Sequence, residues 1–405
     1  MDRRISVFQY HIYPTMYCSL SCQHCFLDKD IRADKTKMSV EQFKKVVDTY
    51  VEHFTKNDID RGEVTIIGGE ATTIPPKFYH EVMPYLREKF DSVGKHYHIS
   101  LVTNFLHLKS LQKYSEHFDI ISTSYEPMRF TEKNLKANAE QKGEIWLKNV
   151  KEWLSEGNEL HLSLTTARDL IDAGTDFYEE MMGIGFKHFA INQGVPEGEF
   201  LKNSISEDHF NTHESKRIDE LMAPVRKRRV FEIQPEKQDN VFVTFEEETQ
   251  YMIELTEWYL KQREAGREFY IYPLDSYATG VSSNTLIDDI ACTVSKGLNT
   301  RPDGKTTGCA AEVGSKEMLE YGNVYEQSLE EIVNSDVRNQ YVAATERVYR
   351  ECLQCEFYRI CKGNCMLRAR LWDRSNPENE CHGLKGYLTY LKSRAEEVLK
   401  YSPEH

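Results

Sequence analysis

The stretch Cys18-Ser19-Leu20-Ser21-Cys22-Gln23-His24-Cys25 packs three cysteines into eight residues, and its reading decides the rest. The other seven of the ten cysteines, Cys292, Cys309, Cys352, Cys355, Cys361, Cys365 and Cys381, all lie beyond residue 291. An even count is compatible with disulfides, but a cytosolic chain of this size has little use for them and reducing conditions open them. Close clustering of cysteines in such a chain points to metal. A structural zinc site takes four ligands, usually as two separated pairs. Three thiolates in one short loop instead cap three corners of a [4Fe–4S] cube, whose full ligation takes four cysteines. The fourth iron is then left for a substrate or a cofactor.

Composition agrees with a folded protein. The 405 residues carry 51 basic against 65 acidic side chains, a net charge of −14, with 40% hydrophobic and 29% charged residues. That excludes a disordered or collagen-like chain and leaves no general attraction to nucleic acid or anionic membrane. The run Arg226, Lys227, Arg228, Arg229 is a local basic exception, read as a solvated face. No apolar stretch approaches the ~20 residues of a membrane helix, and the first residues lack a signal peptide's apolar core, so a cytoplasmic location is expected.

Around the cysteine loop the chain alternates. Strand-like stretches at 6–13, 64–67, 99–102, 120–123, 160–164 and 188–191 are separated by helical patterns such as 39–55 and 76–90. In the first helix Val40, Phe43, Val46, Val47, Tyr50 and Val51 share one face, with Ser39 and Gln42 placed as a capping box. Six such units predict an α/β fold, a partial (β/α)6 TIM-like barrel, with chemistry at the C-terminal ends of the strands. The cysteine loop follows the first strand, where that rule puts it.

This motif resembles the signature of the radical S-adenosylmethionine (SAM) superfamily, including an aromatic residue, His24, just before the last cysteine. The resemblance implies that Cys18, Cys22 and Cys25 hold a [4Fe–4S] cluster whose open iron binds the amino and carboxylate groups of SAM, and that a 5′-deoxyadenosyl radical is made. It further implies SAM contacts from Gly68, Gly69 and Glu70 after the second strand, Asn104 after the third, Ser122 and Ser124 on the fourth, and Arg168 after the fifth. Phe105, beside Asn104, stands where the family usually has glycine.

The later cysteines read Cys292-x11-Gly304-x4-Cys309, then Cys352-x2-Cys355-x5-Cys361-x3-Cys365, then Cys381. Their spacing resembles the SPASM extension of radical SAM enzymes, as does Tyr321-Gly-Asn-Val324. Arg301-Pro-Asp-Gly304 reads as a hairpin turn. A pair of zinc knuckles is the alternative, although seven cysteines do not make two closed four-cysteine sites. By the resemblance, Cys352, Cys355, Cys361 and Cys381 close one auxiliary [4Fe–4S] cluster, while Cys292, Cys309 and Cys365 hold another, for three clusters in all. The expected division is a radical SAM core over 1–230, a connecting helix and strand region over 231–280, and a SPASM domain over 281–405. A helix over 244–266 places Tyr251, Trp258 and Tyr259 in the core. His209 and His213 have the i, i+4 spacing of a metal pair but no third ligand in the sequence, and are read as surface.

One radical-generating cluster and two auxiliary clusters imply oxidation, since the substrate radical must shed a further electron. The resemblance favours an enzyme that oxidatively modifies a peptide side chain, forming a cross-link in a ribosomally made peptide. The alternatives are an anaerobic sulfatase-maturing enzyme that makes formylglycine, a small-alcohol or sugar dehydrogenase, and a non-enzymatic iron–sulfur electron carrier. Expected partners are a peptide or protein substrate, a flavodoxin- or ferredoxin-type reductant and a separate leader-binding protein, because the cysteines begin so near the N-terminus; the 197–271 region is the other candidate for recognising a leader. For a catalytic base the sequence offers only Asp275 and Asp303, and Asp303 also suits its turn.

Overall fold

The computed structural model describes residues 5–127, 129–131, 138–195, 197–200, 220–223, 241, 243–285, 293–316, 318–369, 381 and 383–402. Cys292, the His209/His213 pair, the basic run at 226–229 and most of the 197–240 region lie outside the described residues.

Ten strands form one sheet: β1 (Ile5–Ile12), β2 (Ile59–Ile66), β3 (His96–Thr103), β4 (Ile120–Ser124), β5 (His161–Thr166), β6 (His188–Gln193), β7 (Tyr270–Tyr272), β8 (Gly297–Thr300), β9 (Lys305–Thr307) and β10 (Gly322–Asn323). Their spatial order is β10-β9-β8-β1-β2-β3-β4-β5-β6-β7. Strands β1 to β7 run parallel in chain order, and β8 adds to the free side of β1, also parallel. The antiparallel β8–β9–β10 ribbon finishes that edge. The six expected units are therefore present as a partial barrel, widened by β7 on one side and β8 on the other.

Helices cover the outer face because the strands alternate. In β5, Leu162, Leu164 and Thr166 are buried while His161, Ser163 and Thr165 are half-buried, so every second residue turns to the concave face. That face is polar, with Thr65 hydrogen-bonded to Ser100 at 2.9 Å and Asn192 donating to Ser163 at 3.0 Å. The helix Val40–Lys56 buries Phe43, Val46, Val47, Tyr50 and Phe54, and Ser39 and Gln42 close the capping box. Its Tyr50 hydroxyl reaches the His11 carbonyl at 2.9 Å and Thr300 Oγ1 at 2.8 Å, fastening β8 to β1. The connecting helix spans Phe245–Glu264, capped by Thr244 and Glu247. Tyr251 and Tyr259 are buried, and Trp258 packs on Phe269. At the β8–β9 turn Gly304 has φ +85 and donates to the Arg301 carbonyl at 3.0 Å, the hairpin the Asp-Gly pair predicts. No helix among the described residues is long and apolar enough to cross a membrane.

Candidate active site

A cavity opens at the C-terminal ends of β1 to β5. Its walls include Cys18, Cys22, Cys25, Gly68, Gly69, Glu70, Asn104 and Ser124. The structure thus brings together residues from three separate loops and the end of β4. Ser122 and Arg168 do not border it.

The cysteine loop is held by its neighbours. The Cys18 N–H donates to the Arg32 carbonyl at 3.1 Å, and Cys25 N–H to the Cys22 carbonyl at 3.3 Å. Backbone N–H groups of Leu20 and Leu27 point at the sulfurs of Cys18 and Cys25, each at 3.4 Å. Burial pushes the Cys18 thiol up to about 12, helped by the Glu70 carboxylate, and the Cys25 thiol up to about 11. Such thiols ionise when a metal supplies the missing positive charge. Among the described residues none of the nine cysteines is in a disulfide. Triads of ligand atoms within 4.8 Å of one another occur there only at His80/Glu116/His117 and Glu159/His161/His188. A single tetrahedral zinc would set its sulfurs about 3.8 Å apart. The wider cysteine spacing suits a multi-iron cube.

Gly68 and Gly69 make a close approach to the chain's own backbone. A Cβ on Gly68 would sit 2.4 Å from the Thr15 carbonyl oxygen, and one on Gly69 2.1 Å from that of Met16. The N–H groups of Gly69 and Glu70 donate to the Thr15 and Tyr17 carbonyls at 3.1 and 2.7 Å. The pair therefore docks the cysteine loop onto the end of β2. What it leaves for a ligand is carbonyl oxygen, which suits an ammonium group. Glu70 is buried and accepts from Thr72 N (3.0 Å), Thr103 Oγ1 (2.8 Å) and Asn104 N (2.6 Å). Its carboxylate welds the third loop to the second.

Phe105 takes the left-handed backbone that glycine would adopt there, with φ 61. Its N–H donates to Thr103 Oγ1 at 3.0 Å, its carbonyl accepts from Asn149 at 2.8 Å, and its buried ring meets Trp153 edge-on. These contacts offset an unfavourable conformation.

Four more polar residues, His24, Arg32, Glu126 and Arg129, line the cavity. Glu126 is buried between His24 Nε2 and Arg129 Nη1, each at 2.9 Å. Burial alone would raise its carboxyl, but the two partners hold it down at about 2. Arg32 is also buried against the cavity, and its Nη1 has no hydrogen-bond partner among the described residues. The sequence marks His24 only as part of the cysteine motif, and no spacing rule marks Arg32, Glu126 or Arg129. Arg168, by contrast, forms a two-pronged pair with Glu247 at 2.7 Å.

The C-terminal cysteines stand on short helical turns. Lys362, Gly363 and Asn364 are consecutive left-handed residues between Cys361 and Cys365. Gly383 lies between Cys361 and Cys381, its Cβ position 3.7 and 3.6 Å from their sulfurs. After burial, Cys381 and Cys352 push the Cys361 thiol up, and Cys355 acts on Cys381. Cys365 feels Arg368 instead. Cys309 starts the turn Ala310–Val313 and is close enough to act on the Tyr13 hydroxyl. This segment reaches the first loop directly: Asp28 N–H donates to the Gly314 carbonyl at 2.9 Å, and Val313 packs with Tyr13, Met16 and Leu27. Asp303 accepts from Lys305 N within its turn and Asp275 from Ser276 N; neither borders the cavity.

Residues 292–356 match the SPASM family, an iron-sulfur cluster-binding domain. No curated protein matches the chain. Among solved structures it is similar to native anSMEcpe with bound AdoMet, with TM-score 0.62 and 14% identity over 98% of this chain and 96% of that one. The same figures hold for anSMEcpe with AdoMet and the Kp18Cys peptide. Streptococcus suis SuiB bound to its precursor peptide SuiA matches with TM-score 0.54 and 14% identity, over 94% of this chain and 74% of that one. The chain thus shares the fold of these AdoMet-bound and peptide-bound structures, with a SPASM match over residues 292–356.

Proposed function

We propose that this chain is a radical SAM oxidoreductase that oxidises a peptide side chain, with cross-linking of a ribosomally made peptide as the favoured outcome. The observation that carries this reading is the direct seating of the Cys309 segment on the loop of Cys18, Cys22 and Cys25, through Asp28, Gly314 and Val313. A radical formed at the first centre is then made beside the region that would accept the second electron. The structural likeness to anSMEcpe with a peptide and to SuiB with SuiA supports a peptide as substrate.

The residues divide the work as follows. Cys18, Cys22 and Cys25 would hold a [4Fe–4S] cluster, which when bound would supply the one electron that reductive cleavage of SAM requires. Carbonyls of Gly68 and Gly69 accept from the amino group of SAM. Arg32 and Arg129 are the cations that face its carboxylate, a role their buried positions on the cavity wall support better than Arg168, which Glu247 engages. Asn104 and Ser124 are polar contacts for the nucleoside part, and Glu126 fixes His24 and Arg129 in place. Cys352, Cys355, Cys361 and Cys381 form one auxiliary set, and Cys309 and Cys365, with Cys292, the other. A flavodoxin- or ferredoxin-type protein would supply the electrons.

The test is anaerobic turnover of cluster-loaded, reduced protein with SAM and a short peptide encoded beside its gene. A peptide lighter by two hydrogens, formed in proportion to 5′-deoxyadenosine, is expected. Formylglycine in a sulfatase peptide, or turnover of a small alcohol with peptides inert, would overturn the cross-linking reading.

A further inference from the structure

At the end of the sheet opposite the cysteine loop, three side chains bring donor atoms to one point. His161 and His188 open β5 and β6 and are paired in register. Their rings stack 4.5 Å apart and 7° from parallel. Glu159 stands two residues before His161, with Oε1 2.5 Å from His188 Nε2 and 3.7 Å from His161 Nε2. All three donor atoms fall within 4.8 Å of one another. Glu159 and His188 also border a surface cleft of about 690 Å³.

We propose that Glu159, His161 and His188 form a site for one divalent transition-metal ion of the zinc type, separate from the cysteine centres. The ligand set is the first argument. Two imidazoles and one carboxylate suit zinc better than magnesium or calcium, which prefer all-oxygen shells. Spacing is the second. Bonds of about 2.0–2.1 Å to a tetrahedral ion place donor atoms about 3.3 Å apart, and the two carboxylate distances bracket that value. The Glu159–His188 contact alone is an ordinary hydrogen bond. It does not account for His161, whose Nε2 is brought to the same oxygen at a distance longer than a normal hydrogen bond.

The parallel stack is not yet the bound arrangement, because its two lone pairs run side by side. Rotation about χ2, a soft torsion in histidine, splays them toward a shared ion. The fourth position then faces the cleft and takes water. The ion would join the starts of β5 and β6 without entering the radical chemistry. Thr165, which borders the cysteine cavity, is four residues up β5 from His161, about 13 Å at ~3.3 Å per residue.

The experiment uses cluster-loaded enzyme under anaerobic conditions, so that iron occupies the cysteines. The protein is incubated with zinc chloride, dialysed, and analysed for iron and zinc. One zinc per chain is expected, with a higher melting temperature, and His161→Gln/His188→Gln should lose the zinc and keep the iron. A wild-type protein without zinc, or a variant with as much, would overturn the site. Should the double variant fold poorly, Glu159→Gln is the second probe, since its side chain is 65% exposed. It should weaken zinc binding in calorimetry with an unchanged zinc-free melting temperature; wild-type affinity would be equally fatal.

Discussion

Residues 18–25 and residues 352–381 both gather thiols, by opposite means. The first set fits in eight residues and is placed by the sheet: β1 delivers it, and Gly68 and Gly69 dock it against β2. The second is spread along the chain and is placed by short helical turns, left-handed residues and the return of Cys381. A loop anchored to parallel strands inherits its geometry from a large core. A set held by turns depends far more on what it binds, because the bound group itself joins turns that are distant in the chain. The lesson is that the two regions should respond differently to losing their ligands.

The largest effect tests that contrast at its root. Replacing Cys18, Cys22 and Cys25 together with Ala should abolish 5′-deoxyadenosine formation and lower iron from about twelve to about eight per chain. The fold should survive, since β1 and β2 remain paired. Replacing Cys352 and Cys355 with Ala should leave uncoupled SAM cleavage intact while about four irons and peptide oxidation are lost, with partial unfolding of the C-terminal region. Iron analysis, product chromatography and limited proteolysis read all three outcomes. Equal proteolytic sensitivity of the two variants would break the comparison.

Legibility in the sequence followed the same division. Strand and helix positions were readable because period-2 and period-3.6 patterns are local, and the helix from Val40 to Lys56 matches its capping signals. The three-cysteine loop was readable because its spacing alone limits the chemistry. What hid were contacts between distant residues. Arg32 and Arg129 reach the cavity by burial, and Arg168 is held by Glu247, 79 positions away. The glycines were noticed, but their partner was the chain's own backbone at Thr15 to Tyr17, which only the β1–β2 pairing brings near. β7 and β8 were missed as sheet members because three and four residues carry too little periodicity.

A second test sharpens the claim that the first loop is set by the sheet. Gly69→Ala forces a Cβ to 2.1 Å from the Met16 oxygen and 2.5 Å from Tyr17 backbone atoms, so one chain must move. A loss above ~3 kcal/mol is expected, together with low cluster occupancy. Gly183→Ala is the control. Nothing lies within 4 Å of its added methyl, it sits in the helix Asp176–Ile184, and a gain of about 0.5–1 kcal/mol is expected. Thermal melts of both variants, with iron counts, decide it.

Glu126→Gln comes next. It removes the charge shared by His24 and Arg129 in a buried setting and should cost about 3 kcal/mol, with weaker SAM binding. The sign of its pH dependence follows from a carboxyl held at about 2 against an ordinary value of 4.5. Its stabilisation is complete above 4.5 and is lost as pH falls through about 2. Between pH 6 and 9 the deficit of the variant should therefore be constant. A deficit that grows across that interval would assign the titration to another group.

The smallest expected effect concerns Arg168. Its bidentate pair with Glu247 is geometrically good, at 2.7 Å on both prongs, and the hydrogen bonds from Arg168 hold the Glu247 carboxyl down at about 2. Yet the side chains are 28% and 39% exposed, so water screens the pair and its worth is about 0–1 kcal/mol. Glu247 also accepts from the Thr244 N–H in the capping box, so its carboxylate keeps a partner when the arginine goes. Arg168→Ala should thus shift the melting temperature by no more than about 1–3 °C for a chain of this size and leave the KM for SAM unchanged. Arg32→Ala, in parallel, should raise that KM at least about tenfold, the loss of a charge-assisted contact of about 1.4 kcal/mol or more. The opposite ranking would mean that Arg168 leaves Glu247 when SAM enters, and would give the carboxylate to the fifth strand's arginine after all.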